Sequence, residues 1–125
     1  MPQEIIKNTL LTRDEFHSYL NQNEGIVVIK FGADWCGPCQ RVKQDIHKLF
    51  MHTPENVTCF DIDVDNCSDL YFYLKNKRQV NGIPAILVYH TNNKTFAPDI
   101  SQTGANLVEI RALFNVVNKM ANDLL

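Results

Sequence analysis

Two thiols two residues apart, Cys36 and Cys39 in the run Trp35-Cys36-Gly37-Pro38-Cys39, are the side chains of this sequence best placed to do chemistry. They follow the β-branched run Ile26 to Phe31, and Pro38 stands where a helix can begin. The pair therefore falls at a strand-to-helix junction, the context that separates a redox Cys-x-x-Cys from a chance spacing. At a helix start the first cysteine sits beside unpaired N–H groups and the positive end of the dipole, which favour its thiolate. The second lies one turn inside, where the two sulfurs can close a small disulfide. Only a thiolate attacks a disulfide, so Cys36 reads as the nucleophile toward a substrate disulfide and Cys39 as the resolving thiol that breaks the mixed disulfide.

The elements around this pair follow from hydrophobic periodicity and punctuation. Thr12 with Glu15 forms a capping box ahead of Phe16, Tyr19 and Leu20, one apolar helix face. Gly25 opens the strand Ile26 to Phe31, apolar enough to be buried on both faces, with Lys30 its anomaly. Val42, Ile46, Leu49 and Phe50 recur at helical spacing until Pro54. Val57 to Val64 reads as a strand with Phe60, Ile62 and Val64 on one face and Cys59, Asp61 and Asp63 on the other. Ser68 to Lys75 reads as a short helix, Ile83 to Tyr89 as a strand, Thr91 to Lys94 as a polar turn and Thr95 to Ala97 as a short return strand. Gly104 punctuates the chain, and Asn106 with Glu109 caps a helix whose Leu107, Ile110, Phe114, Val117, Ala121 and Leu124 form an apolar stripe. With Ile5 and Ile6 as a first strand, the order β, α, β, α, β, α, β, β, α specifies an α/β protein. Such alternation implies parallel strands, right-handed crossovers and helices on both faces of the sheet.

Four segments carry a family likeness: Trp35 to Cys39, Gly82-Ile83-Pro84 at a strand entrance, Thr103-Gly104-Ala105, and Asp61 to Asp69 reading Asp-Ile-Asp-Val-Asp-Asn-Cys-Ser-Asp. On these the chain resembles the thioredoxin family over almost its whole length. The resemblance implies a thioredoxin fold, a central mixed β-sheet flanked by helices on both faces, formed by residues 1–125 as one domain. It implies protein-disulfide reductase activity without a cofactor, on disulfide-containing protein substrates, with electrons from a thioredoxin reductase or another donor. Trp35, Gly37, Pro38, Ile83, Pro84, Thr103 and Gly104 then form the substrate-binding surface of a monomer. Pro84 suits this role on physical grounds: a cis Ile83–Pro84 bond costs only about 0.5 to 1 kcal/mol and leaves the Ile83 backbone to pair with an extended substrate segment.

The sequence departs from the family pattern at Lys30, where a buried Asp is usual, at Gly32, where an aromatic residue is frequent, and at Gln44, where a proline kinks the helix. A Lys30 ammonium buried in this strand needs an anion. Asp61, on the adjacent strand in the family topology, is the candidate, as though the family's acid–base pair had its signs exchanged. Lys30 would then favour the Cys39 thiolate or, if desolvated, accept its proton, and either route stabilises the dithiol. In the competing reading Lys30 runs its stem out to water and Asp61 is unrelated.

Composition narrows the remaining classes. With 125 residues, 45% hydrophobic and 21% charged, the chain has room for one core and no composition bias toward disorder. A net charge of -2 gives no electrostatic pull toward nucleic acid or anionic lipid. The apolar run Ile83 to Tyr89 is far short of the roughly 20 residues that span a bilayer, and Met1 to Lys7 shows no continuous apolar leader, so a cytoplasmic location is expected. A zinc site built from the Cys36 pair with Cys59, Cys67, His47 and His52 lacks a second closely spaced pair. Cys59 reads as a small buried hydrophobe on a strand, and Cys67, in a polar turn, as an exposed, oxidisable thiol, a solvent-tolerated bystander before a regulatory one. His17, His47, His52 and His90 read as scattered surface residues. Asp61, Asp63 and Asp65 read as strand pleating without the Gly-bearing loop that calcium wants. Lys75, Lys77 and Arg78 read as a solvated helix end. The functional alternatives are a thioredoxin-fold binding subunit, which has no need of both cysteines, and a disulfide isomerase or oxidase.

Overall fold

The computed structural model describes residues 5–7 and 12–125, with Ile6 and Lys7 described by backbone pairing alone. Residues 1–4, part of the stretch read above for a leader, lie outside the described residues, as do residues 8–11. In chain order the elements are β1 (Ile5–Lys7), α1 (Arg13–Gln22), β2 (Ile26–Gly32), α2 (Gly37–Met51), β3 (Val57–Asp63), α3 (Ser68–Asn76), β4 (Ala85–His90), β5 (Ile100–Thr103) and α4 (Leu107–Asp123). The helix starts follow their caps. Thr12 Oγ1 accepts from the Glu15 N–H at 3.2 Å, and Asn106 Oδ1 accepts from the Glu109 N–H at 3.1 Å.

The sheet runs β1-β3-β2-β4-β5. β1, β3 and β2 are parallel, whereas β4 runs against β2 and β5 against β4. The sheet is therefore mixed, as the family resemblance implied. Gly32 at the end of β2 pairs with Asp63 at the end of β3, and Phe31 pairs with Ala85 at the start of β4. The chain thus leaves β3 and enters β4 at the same end of the sheet, which forces opposite directions. The return strand is also relocated. Thr95 to Ala97 lie in a loop tied by Asn93, whose Oδ1 accepts from the Thr95 N–H at 2.9 Å and whose Nδ2 donates to the Ala97 carbonyl at 2.7 Å. These side-chain bonds offer the backbone a local alternative to a ladder, and pairing with β4 starts only at Ile100.

All seven residues of β2 are buried, and alternate side chains enter opposite layers. Val27, Ile29 and Phe31 join Phe16 and Leu20 of α1 and Leu70, Tyr71 and Leu74 of α3. Ile26 and Val28 join Val42, Ile46 and Phe50 of α2 and Ile110, Phe114 and Val117 of α4. By the same alternation Lys30 points into the α2 and α4 layer. Cys67 is not an exposed bystander: it is 3% exposed and packs in the α1 and α3 layer with Val64 and Leu70. The polarity of the turn is carried by Asp65 and Asn66, which face solvent, while the residue entering α3 turns inward. Among the described residues no helix is long and apolar enough to cross a membrane.

Candidate active site

Cys36 caps α2 and Cys39 lies in its first turn, joined to it as a disulfide with Cα atoms 5.2 Å apart. The Cys36 N–H donates to the Ala33 carbonyl at 3.2 Å, and the Cys39 N–H points at Cys36 Sγ at 3.2 Å. This is the helix-start environment that stabilises a thiolate. Both cysteines are buried, Cys36 6% exposed at the cap of α2 and Cys39 2% exposed in its first turn. Pro38 occupies the first turn without wasting an N–H, and Gly37 beside it is exposed.

A rim surrounds Cys36. The Ile83 carbonyl oxygen is 3.9 Å from Cys36 Sγ, and the Ile83–Pro84 peptide is cis. The Gly104 N–H donates to the Pro84 carbonyl at 2.8 Å, which holds the Thr103–Gly104 turn against this loop. Gly104 adopts φ +102, a conformation suited to glycine. Thr103 is exposed beside Gly82, and Trp35, 70% exposed, forms the other wall. The Trp35 Nε1–H donates to Asp65 Oδ2 at 2.9 Å, and the Asp65 N–H donates to Asp63 Oδ1 at 2.8 Å, so the indole is held without being buried.

Behind Cys39 lies a polar cleft of about 190 Å³ lined by Lys30, Gly32, Cys39, Lys43, His47 and Asp61, among others. Lys30 and Asp61 are register partners on β2 and β3, and Lys30 Nζ lies 3.4 Å from Asp61 Oδ1. Lys30 is 3% exposed, so its ammonium does not run out to water. Gly32 leaves the opening between this pair and the redox centre. A methyl group there would touch Lys30 Cε at 3.6 Å and Cys39 Sγ at 3.7 Å, so the two side chains face one another across it.

Sequence reasoning missed His47. Its Nε2 is 2.6 Å from Asp61 Oδ2, and its side chain is only 20% exposed. The available signal was spacing: Cys39, Lys43 and His47 recur every four residues and share one face of α2. Cys59, fully buried, stays apart from this chemistry. Burial pushes its thiol up to about 11, partly offset by the Thr53 hydroxyl. Among the described residues no group of three or more His, Cys, Asp or Glu side chains could hold a metal ion.

Comparison with known proteins bears on the same residues. A family model described as Thioredoxin matches residues 7–114. The chain is 31% identical to the thioredoxin of Sus scrofa over 101 residues, 80% of this chain and 88% of that protein. It is 38% identical to the thioredoxin of Equus caballus over 60 residues, 47% of this chain, a match spanning only 56% of that relative's length. The structure of Malassezia sympodialis thioredoxin superposes with a TM-score of 0.70 over 94% of this chain and 95% of that one, a likeness of fold at 22% identity.

Proposed function

The chain belongs to the thioredoxin family, and from that membership we propose how its residues divide the work of reducing a protein disulfide. It is a thiol–disulfide oxidoreductase with a Cys36–Cys39 redox pair. In the reduced protein the Cys36 thiolate attacks one sulfur of a substrate disulfide, and the other substrate sulfur leaves as a thiolate that takes a proton from solvent. Cys39 then gives up its proton and attacks Cys36 Sγ, releasing the second substrate thiolate and leaving the Cys36–Cys39 disulfide. Two electrons pass to the substrate, and a thioredoxin reductase or a donor of the same class returns them. What carries the division of labour is position: Cys36 caps α2 against the Ile83 carbonyl, while Cys39 lies in the first turn against the Lys30 cleft.

Trp35, Gly37, Pro38, Ile83, Pro84, Thr103 and Gly104 form the docking surface in this reading, with the Ile83 backbone pairing an extended substrate strand. Lys30, held by Asp61, favours the Cys39 thiolate across the Gly32 opening. The whole chain acts as one domain, a monomeric cytoplasmic carrier in electron transport to protein disulfides. The test is insulin reduction with dithiothreitol as electron source, combined with trapping. Cys36→Ser should abolish reduction, and Cys39→Ser should accumulate a mixed disulfide on Cys36, seen as an added mass under non-reducing conditions. Equal trapping on Cys59 or Cys67 would remove Cys36 from the nucleophile's role.

A further inference from the structure

Asp61 spends its two oxygens on two different cationic partners, Oδ1 on Lys30 at 3.4 Å and Oδ2 on His47 at 2.6 Å. One of those partners is an ammonium and the other an imidazole, the side-chain type suited to changing charge between about pH 5 and 8. Lys30 and Cys39 face each other across Gly32, so the chain of contacts runs His47, Asp61, Lys30, Cys39. His47 is the member nearest solvent, with 20% of its side chain exposed against 4% for Lys30. We propose that His47 is a positioning residue for the resolving step, setting through Asp61 how strongly Lys30 draws out the Cys39 thiolate. The proposal rests on the reading of Cys39 as the resolving thiol.

The sign follows from the charges. With neutral imidazole, the Asp61 carboxylate is left to Lys30 and cancels most of its field at Cys39. Once His47 is protonated, Asp61 is shared between two cations and the Lys30 charge is less compensated. The added positive charge acts in the same direction, so protonation of His47 favours the Cys39 thiolate. The other charged groups lining this cleft are Asp34 from the turn after β2, Lys43 from α2 and Asp63 from β3. β1 brings Lys7 to the register position of Asp61. None of these is an imidazole; the Cys36 thiol, which also ionises, is common to every variant compared and is read by the first phase. His47 is eight residues beyond Cys39 on α2, about 12 Å along the axis. A unit charge at that distance in an effective dielectric of about 20 shifts an ionisation by at most roughly tenfold.

The chemistry to be timed is deprotonation of Cys39, with its proton leaving to solvent, followed by attack of its thiolate on Cys36 Sγ and departure of the thiol held there. An aromatic disulfide, 5,5′-dithiobis(2-nitrobenzoate), reports both steps. One thionitrobenzoate leaves when Cys36 attacks, and a second leaves when Cys39 resolves. Stopped-flow measurement of the reduced full-length protein gives two phases, and the slope with pH of the second relative to the first is the readout. In the wild type the second phase should exceed that of His47→Gln by about threefold to tenfold near pH 5.5 and converge with it by about pH 8. His47→Arg, with a fixed charge, should hold the accelerated behaviour across the range, and the wild-type advantage should fall to the smaller direct field of the imidazolium when Lys30→Met is added to both proteins. A His47→Gln profile parallel to wild type, or an advantage undiminished by Lys30→Met, overturns the proposal. Loss of the first phase with Cys36 intact would instead overturn the assignment of the nucleophile, so the two failures are distinguishable.

Discussion

Removing the Asp61 end of the Lys30–Asp61 pair should be far worse than removing both. At 3.4 Å and an effective dielectric of about 20, the gross attraction is about 5 kcal/mol. Against it stands a desolvation cost of several kcal/mol for the ammonium, 3% exposed in a strand whose other residues are Ile, Val, Phe and Gly. Asp61→Ala leaves that ammonium buried and unpaired and should cost about 3 to 5 kcal/mol. Lys30→Met keeps the volume and removes the buried charge, while Asp61 retains His47 and partial access to water, so the cost should be about 1 kcal/mol or less. The double variant should lie close to Lys30→Met, a coupling of about 3 to 5 kcal/mol. Urea unfolding of the oxidised proteins, followed by circular dichroism, measures all four corners. Costs that add within about 0.5 kcal/mol would refute the reasoning, as would equal losses for the two single variants. The redox arm has its own sign. Lys30 stabilises a thiolate that exists only in the reduced protein, so Lys30→Met should move the reduction potential to the reducing side, by about 30 mV for each 1.4 kcal/mol of lost stabilisation.

Gly32→Ala should fold and gain roughly 0.5 to 1 kcal/mol, because the added methyl meets its neighbours at ordinary contact distance and the unfolded chain loses freedom; a drop in thermal midpoint would contradict the described opening. Phe114→Ala should cost about 3 to 5 kcal/mol, since this ring is 1% exposed and packs edge-on against Phe50 at 5.4 Å, and denaturant titration measures it. Cys59 titrates from its ordinary 9.0 when unfolded and about 11 when folded, so its contribution is fully present below pH 9.0 and is lost as pH rises toward 11, to the extent of about 2 to 3 kcal/mol. Urea midpoints across that interval should fall less steeply in Cys59→Ala. The residual slope includes Tyr89, which burial, and then the Asp99 charge, also push upward, and Tyr71, which burial pushes upward.

The sequence by itself determined whatever depends on neighbours a few residues away. Thr12 with Glu15 and Asn106 with Glu109 cap helices because an oxygen needs to reach only three residues along the chain. The Cys36–Cys39 pair is of the same kind: its spacing, the preceding strand and Pro38 specify a helix-start dithiol without reference to the rest of the molecule. Alternation along β2 and β3 placed Lys30 and Asp61 on faces, and the family topology then made them neighbours; the register that sets them opposite one another is a property of the sheet. Tertiary structure alone decided the direction of β4, the burial of Cys67 and the removal of the return strand from Thr95–Ala97 to Ile100–Thr103. In each case the polarity or apolarity of a short segment was compatible with two placements, and the choice was made by what packs above it or hydrogen-bonds beside it. His47 shows the limit most plainly. Apart from its four-residue spacing behind Cys39 and Lys43, nothing on its own helix distinguishes it from the other histidines, and it joins the site because β3 delivers the second oxygen of Asp61 to within 2.6 Å, across a separation of 14 residues.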